Sequence, residues 1–249
     1  MSITFKEDKL LNSHLQYTGT SNNPALKELR ETYQLDKLID PEKSDFDNII
    51  NVQSWIYTRW EHASGHFARK KDALYILEQA RKGKRFSCAE YSTVGKACLQ
   101  ALGFTVRKTY LRPEDTKSAE KKTGHVLNEV YLKDLKKWFF MDPCFDIIIK
   151  KDSIPLNAAE LLKAMMQGDE LEVINPSNEI TCAEYLEKIG PFLSCFSTRI
   201  DVTKKNIWRR FYGSKSHLTL LPLEVETPKN IKLRDHILTY SMADFYPEL

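Results

Sequence analysis

A cysteine at the start of a predicted helix is the residue of this sequence whose chemistry is easiest to define. Ser87 and Glu90, three positions apart, are typical of a capping box, in which each side chain accepts the other residue's amide hydrogen. Cys88 is then the first helical residue, and the unpaired amide hydrogens of a helix N-terminus favour the thiolate, the reactive form of cysteine. A lone cysteine is more often a small buried hydrophobe, so the interpretation depends on residues further along the chain.

The helix that follows Cys88 has clear boundaries. Phe86 before the cap and Tyr91 at the fourth helical position fit a hydrophobic staple. Gly103 is a C-terminal stop, so the helix is predicted from about Cys88 to Leu102. Its apolar residues recur at the spacing of one helix face: Val94, Ala97, Cys98, Ala101 and Leu102.

A predicted β-hairpin supplies a histidine and a carboxylate. Stretches 124–132 and 138–142 alternate like strands, with His125 at the start of the first and Asp142 at the end of the second. A two-residue turn places the two residues directly opposite each other, and a four-residue turn, 133–136, makes them diagonal neighbours on one face. A turn of three or five residues without a bulge places them on opposite faces. The sequence leaves the turn length open.

Cysteine, histidine and aspartate together suit nucleophilic catalysis. Cys88 would attack a carbonyl carbon, His125 would handle the proton, and Asp142 would fix the imidazole tautomer. The Cys88 amide could hydrogen-bond the oxyanion. A second donor has to come from elsewhere. The candidates on the preceding helix are Gln53, Trp55 and Trp60. The two tryptophans are equally typical of a hydrophobic core.

The other predicted elements describe an α+β chain. Helices start near Pro24, at Asp45 and after the caps Asp72, Asn157 and Thr181, and the last two caps have a glutamate three residues on. Further strands are predicted over 104–111, 194–202, 218–225 and 237–241. The charged loop 112–123 leads into His125 and is predicted to be a lid or a plain solvated loop. We expect one domain, 1–249, with a core motif at about 45–150; the alternative is that residues 153–249 form a C-terminal subdomain.

Composition excludes several classes of function. Apolar residues make up 42% and charged residues 29%, and the net charge of +3 is too small to predict nucleic-acid binding. No apolar run approaches the length of a signal peptide or a membrane span, so we expect no membrane association and a cytoplasmic location. Five cysteines without a CxxC pair argue against a disulfide framework and a zinc ribbon. His62 and His66 are separated by Ser64-Gly65, which breaks a helix, so we expect no metal and no other cofactor.

Four stretches around these residues resemble the transglutaminase-like superfamily in sequence and order: 86–91, 101–107, 124–130 and 137–143. The likeness covers roughly residues 72–146. It implies a papain-like core in which a nucleophile helix packs on an antiparallel sheet, with Cys88 as nucleophile, His125 as base and Asp142 as orienting acid. The sequence lacks features of three better-known groups of the superfamily. These are the calcium sites and flanking β-domains of animal transglutaminases, the zinc cysteines of peptide N-glycanases, and the arginine-glycine-glycine lead-in of arylamine N-acetyltransferases. The chain therefore resembles the small microbial members, which include peptidases and amidases.

Two functions follow as hypotheses. The first is thiol-dependent acyl transfer on an amide bond of a peptide or protein substrate, with water or an amine as acceptor. The alternative is a peptide- or protein-binding module that keeps the fold without turnover, which a cleft filled by the chain's own segment around 245–247 would favour. The sequence predicts neither the substrate nor the oligomeric state, and the resemblance leaves substrate specificity to the last hundred residues.

Overall fold

The computed structural model describes residues 3–11, 23–113, 124–200, 215–227, 231 and 233–249. Most of the predicted lid, 114–123, lies outside these residues. The α+β class is confirmed. The helices are α1 (Pro24–Thr32), α2 (Asp45–Tyr57), α3 (Ala73–Arg81), α4 (Cys88–Ala101), α5 (Ala158–Gln167), α6 (Cys182–Ile189) and α7 (Met242–Phe245). The strands are β1 (Val106–Arg112), β2 (His125–Leu132), β3 (Lys137–Met141), β4 (Ile148–Lys151), β5 (Ile154–Pro155), β6 (Glu172–Ile174), β7 (Cys195–Arg199), β8 (His217–Leu220) and β9 (His236–Thr239).

Local capping chemistry places most of the helices where the sequence predicts them. Asp72 accepts a hydrogen bond from an amide of α3, and both Asn157 and Thr181 form complete capping boxes with the glutamates three residues later. Helix α2 ends at Tyr57, before the helix-breaking pair Ser64-Gly65 is reached. Caps are short-range signals, which is why the sequence alone locates these helix starts.

The main sheet has the strand order β3-β2-β1-β7-β8-β9. All its pairs are antiparallel except β8 and β9, which run parallel at one edge, and the strands that α4 packs on, β1 and β2, are antiparallel as predicted. A smaller sheet, β5-β4-β6, was not predicted, because its strands have only two to four residues each. Strands that short carry too little alternation to be recognised in a sequence.

The main sheet lies between two apolar layers. Because side chains alternate along a strand, neighbouring residues of β3 enter different cores: Phe139 and Met141 pack with the N-terminal helices, and Phe140 packs with α5 and α6. Helix α4 contacts β1 and β2 on the first of these faces. The start of α4 and the first residue of β2 thereby come together at one end of the strands. The division of the chain into domains stays a prediction.

Candidate active site

Helix α4 begins at Cys88, as predicted, but its cap differs from the predicted one. Ser87 is the extended N-cap residue, and its side chain accepts no amide hydrogen of the helix. Its hydroxyl instead donates to Glu90 Oε2 at 2.7 Å, and its own amide donates to the carbonyl of His66 at 3.0 Å. The reciprocal capping box expected for this pair is therefore not formed.

A chain segment that runs beside the helix start explains the difference. A backbone bridge joins His62 to Phe86, and the amide of Ala68 donates to Glu90 Oε1 at 3.1 Å. The Glu90 side chain therefore holds this segment against the start of α4 through a hydrogen bond and does not cap the helix. Within the described ranges the Cys88 amide makes no hydrogen bond, so it is free at the positive end of the helix dipole.

The β2–β3 hairpin determines how His125 and Asp142 approach each other. The register pairs Asn128 with Met141, and the strands are joined by four residues, 133–136. The four-residue alternative is therefore confirmed, and the directly opposed arrangement is wrong. With this register Asp142 and His125 are diagonal neighbours on one face of the sheet.

The histidine and the aspartate form a buried pair. His125 Nε2 lies 2.6 Å from Asp142 Oδ2, and the two residues are 7% and 0% exposed. Two further donors satisfy the carboxylate: the Tyr185 hydroxyl at 3.1 Å from Oδ2, and the Cys144 amide at 3.1 Å from Oδ1. The acid is therefore fixed in place, and it fixes the ring in turn.

The Cys88 side chain is close enough to the same ring to act on its pKa. Because Asp142 occupies Nε2, Nδ1 is the nitrogen left for the sulfur. Burial alone lowers the pKa of His125, but the charge and hydrogen bond of Asp142, together with the Cys88 side chain, raise the pKa to about 10. The ring is therefore protonated at neutral pH, and a cationic imidazole beside a thiol favours the thiolate.

A layer of aromatic rings covers the pair. The ring of Phe145 lies 5.8 Å from His125, 5.6 Å from Tyr185 and 6.3 Å from His62, measured between centroids. Burial and the charge of Asp142 raise the pKa of the Tyr185 hydroxyl well above its usual value, so it stays protonated and donates to the acid. This packing keeps water from one side of the histidine.

Next to this layer lies a cleft of about 750 Å³. One wall comes from the end of α2 and the following segment, another from Cys144 and Phe145, and a third from the C-terminal part of the chain. Cys88 and His125 are not part of the lining, but Phe145, whose ring packs against His125, is. The lining residues are Tyr57, Thr58, Trp60, Glu61, His62, Tyr91, Cys144, Phe145, Glu179, Ile180, Glu184 and Lys188.

Two of the three predicted oxyanion candidates have other contacts. Gln53 is fully buried, and its Nε2 donates to Asp146 Oδ1 at 3.2 Å. The Trp55 ring packs edge-on against Tyr33 at 5.8 Å, with the Arg59 guanidinium 4.6 Å from its centre. Neither Gln53 nor Trp55 lines the cleft.

Trp60 is placed differently from the other two candidates. Its ring lies in the cleft wall, 4.4 Å from Tyr91 and 5.9 Å from Phe86, so it packs between the two residues of the predicted staple. The indole Nε1 is buried and has no hydrogen-bond partner among the described residues. Trp60 is therefore the candidate whose donor is left without a partner among the described residues.

Two partners of Asp142 were not identified from the sequence. The Cys144 amide bonds the aspartate two residues before it, an Asx-type turn that Asp142-Pro143 could have suggested. Tyr185 could not have been found, because it lies on α6 and no local pattern connects it with Asp142.

The two histidines considered as metal ligands, His62 and His66, flank a turn rather than sharing a helix. Within the described ranges, no group of three or more metal-ligating side chains is close enough to hold an ion. No described helix has both the length and the apolar character needed to cross a membrane.

The C-terminal segment lies elsewhere in the molecule. Tyr246 donates to Glu129 Oε1 at 2.8 Å, and the carbonyl of Pro247 accepts a hydrogen bond from Trp138 at 2.9 Å. Neither Tyr246 nor Pro247 lines the cleft, so this segment does not fill it.

Comparisons with known proteins relate the site to a family. Residues 33–143 match the family model described as the transglutaminase-like superfamily. Among curated proteins, none matches the chain significantly. A candidate cysteine protease from Cytophaga hutchinsonii is a similar solved structure, at 16% identity and a TM-score of 0.39 over 51% of this chain and 40% of that one. Another is red sea bream transglutaminase, at 14% identity and a TM-score of 0.31 over 50% of this chain and 25% of that one. The chain thus spans less than half the length of either structure.

Proposed function

We propose that this protein, whose residues 33–143 match the family model of the transglutaminase-like superfamily, catalyses thiol-dependent acyl transfer on amide bonds. Cys88 is the nucleophile, His125 the acid and base, and Asp142 the orienting carboxylate. The observation that carries the proposal is the buried 2.6 Å contact between His125 and Asp142, with the Cys88 side chain at the same ring. A cysteine with no role in chemistry needs no charged histidine beside it.

In the first half-reaction the Cys88 sulfur attacks the amide carbon. The carbon–sulfur bond forms while the π electrons of the carbonyl move to its oxygen. The free Cys88 amide and the indole N–H of Trp60 donate to this oxyanion. The oxyanion then collapses, the carbon–nitrogen bond breaks, and the His125 imidazolium gives its proton to the leaving amine. A thioester on Cys88 remains.

In the second half-reaction neutral His125 takes a proton from the acceptor as the acceptor attacks the thioester. The carbon–sulfur bond breaks, and the thiolate leaves beside a ring that is again protonated. With water as acceptor the product is an acid, and with an amine it is a new amide. Asp142 stabilises the imidazolium in both halves and itself stays ionised.

The substrate that we propose is a peptide or a protein. The cleft has the size of a typical ligand pocket, and aromatic rings line much of it, as they do in many binding sites. One of its walls, from Glu179 to Lys188, belongs to the last hundred residues, to which we assign substrate specificity.

The experiment that tests the proposal compares the reactivity of the five thiols. We expect iodoacetamide near pH 6 to label Cys88 at least about tenfold faster than the others. Burial raises the pKa of Cys98, Cys144, Cys182 and Cys195, in the last case to about 12. Peptide mapping after short exposures gives the five rates. Equally slow labelling of all five would count against the proposal.

Turnover is measured with an activated ester, p-nitrophenyl acetate. The wild type should release p-nitrophenolate in a burst and carry acetyl on Cys88 by mass spectrometry, and added butylamine reveals whether an amine competes with water. Cys88→Ala should lose the burst and keep the thermal stability of the wild type. A binding module that lacks turnover, the alternative function, would keep the acetyl group without releasing it.

A further inference from the structure

A lysine outside the three proposed catalytic residues reaches the start of the nucleophile helix. Lys108 lies on β1, and its Nζ donates to the Ala89 carbonyl at 3.1 Å and to the Thr93 hydroxyl at 2.7 Å. The Thr93 hydroxyl also bonds the Ala89 carbonyl at 2.7 Å. The ammonium is therefore fixed against the first turns of the helix that begins at Cys88.

The same helix turn holds a carboxylate that opposes a thiolate. Glu90 is 5% exposed and lies two residues after Cys88. A negative charge this close disfavours a second one, since like charges in a shared, partly desolvated site repel. The amide of Ala68 and the hydroxyl of Ser87 stabilise the carboxylate without cancelling its charge. A fixed cation against the first turns of the same helix would offset this repulsion.

We propose that Lys108 is a positioning residue for the nucleophile: its ammonium holds the first turns of α4, offsets the charge of Glu90 and thereby favours the thiolate of Cys88. The inference rests on the proposed function, because it takes Cys88 as the nucleophile. The Lys108 ammonium is then a second positive charge that acts on Cys88, besides the His125 imidazolium. It lies on the side of α4 that faces β1.

The charged groups around Lys108 define when its charge is present. Burial lowers the pKa of Lys108 to about 8; Glu90 and Cys88 act to raise it, and the ammonium groups of Lys71 and Lys96 act to lower it. The cation therefore exists below about pH 8 and is lost as the pH rises through that value. Its effect on the sulfur covers the neutral range.

The test is the pH dependence of Cys88 alkylation by iodoacetamide in the full chain. In Lys108→Gln, which keeps a donor and loses the charge, we expect the midpoint of the rate profile to rise by about half a pH unit or more. Lys108→Arg keeps the charge and should stay close to the wild type. The matched control is Lys133→Gln, which removes an exposed lysine from the β2–β3 turn and should leave the midpoint unchanged. An unshifted midpoint in folded Lys108→Gln overturns the proposal.

A second measurement needs no substitution at Lys108. Coupling between two titrating groups is reciprocal, so removal of the thiol must change the titration of the lysine. We expect NMR of ¹³C-labelled lysine to show a lower midpoint for Lys108 in Cys88→Ala than in the wild type. Identical midpoints would refute the coupling even if Lys108→Gln does not fold.

These outcomes separate the inference from the proposed function. Slow alkylation of wild-type Cys88 refutes the function, whereas fast alkylation without any effect of Lys108→Gln refutes only the role of Lys108.

Discussion

For single residues, the surroundings of Asp142 decide what His125 can do. A fully buried carboxylate is costly unless each of its oxygens is satisfied, and here the ring, the Tyr185 hydroxyl and the Cys144 amide provide three partners. The negative charge cannot be stabilised by water, so it is stabilised by the proton on His125. The contact that offsets the cost of burying the Asp142 carboxylate therefore also keeps the His125 imidazole charged and oriented toward the sulfur.

This contact predicts a dependence of stability on pH. The pKa of His125 is raised in the folded state above 6.5, to about 10, so folding retains a proton that the unfolded chain loses above about pH 6.5. The stabilisation is complete below about pH 6.5 and is lost as the pH rises through the folded-state pKa. Between about pH 6.5 and 8 we expect the free energy of unfolding to fall by up to about 1.4 kcal/mol per pH unit from this group.

Urea unfolding at several pH values in this window measures the slope. A Cys88→Ala background keeps the thiol out of the comparison, and Asp142→Asn in the same background removes the charge that holds the proton. The slope should largely vanish in the double variant. Parallel slopes with and without the aspartate would show that His125 is not the group responsible.

Among secondary-structure elements, the limits of sequence-based prediction follow from the range of each interaction. The caps Asn157 and Thr181 satisfy their own helices, so their local pattern was sufficient. The same pattern at Ser87 and Glu90 failed in detail because a segment about twenty residues earlier binds both residues. The placement of His125 and Asp142 on one face depended on the turn length, which the sequence left between two compatible alternatives. Tyr185 and Lys108 reach the site from distant elements. The spacing of apolar residues within one element cannot predict such contacts.

The residue before His125 illustrates how an element positions a side chain. Gly124 has φ +140°, and a Cβ atom added there would lie 2.3 Å from the Leu111 carbonyl oxygen of the neighbouring strand. Because this oxygen belongs to the backbone, the start of β2 must move. We expect Gly124→Ala to destabilise the fold by about 1–3 kcal/mol and to slow Cys88 labelling through displacement of His125.

The matched control for this substitution is Gly103→Ala. Gly103 also has a positive φ, +92°, but no atom of the residues that the structure describes lies within 4 Å of an added Cβ. Gly103→Ala should lower the free energy of unfolding by about 1 kcal/mol and leave Cys88 labelled at the wild-type rate. Equal labelling rates in the two alanine variants would mean that Gly124 does not position the histidine.

Across the whole molecule, one buried ion pair joins three parts of the chain. Arg107 and Glu129 are 2% and 0% exposed, with 2.7 Å between guanidinium and carboxylate. The guanidinium lies against the rings of Trp138 and Phe245, at 4.5 and 4.4 Å, and Glu129 also accepts from the first amide of α5 at 3.2 Å. The sheet, α5 and the C-terminal segment therefore meet at this pair, four residues along β2 from His125.

Removal of one partner of this pair should be far more damaging than loss of a surface ion pair. Arg107→Met leaves the Glu129 carboxylate buried without its cation, for which we expect a loss of about 3–5 kcal/mol in urea unfolding. Lys27→Met, which breaks the exposed pair with Glu31, should cost less than about 0.5 kcal/mol. Where both variants are folded, Cys88 should be alkylated at the wild-type rate, because the ion pair holds the far part of β2 rather than its first residue. A stability loss in Arg107→Met no larger than in Lys27→Met would show that the pair does not hold these parts together.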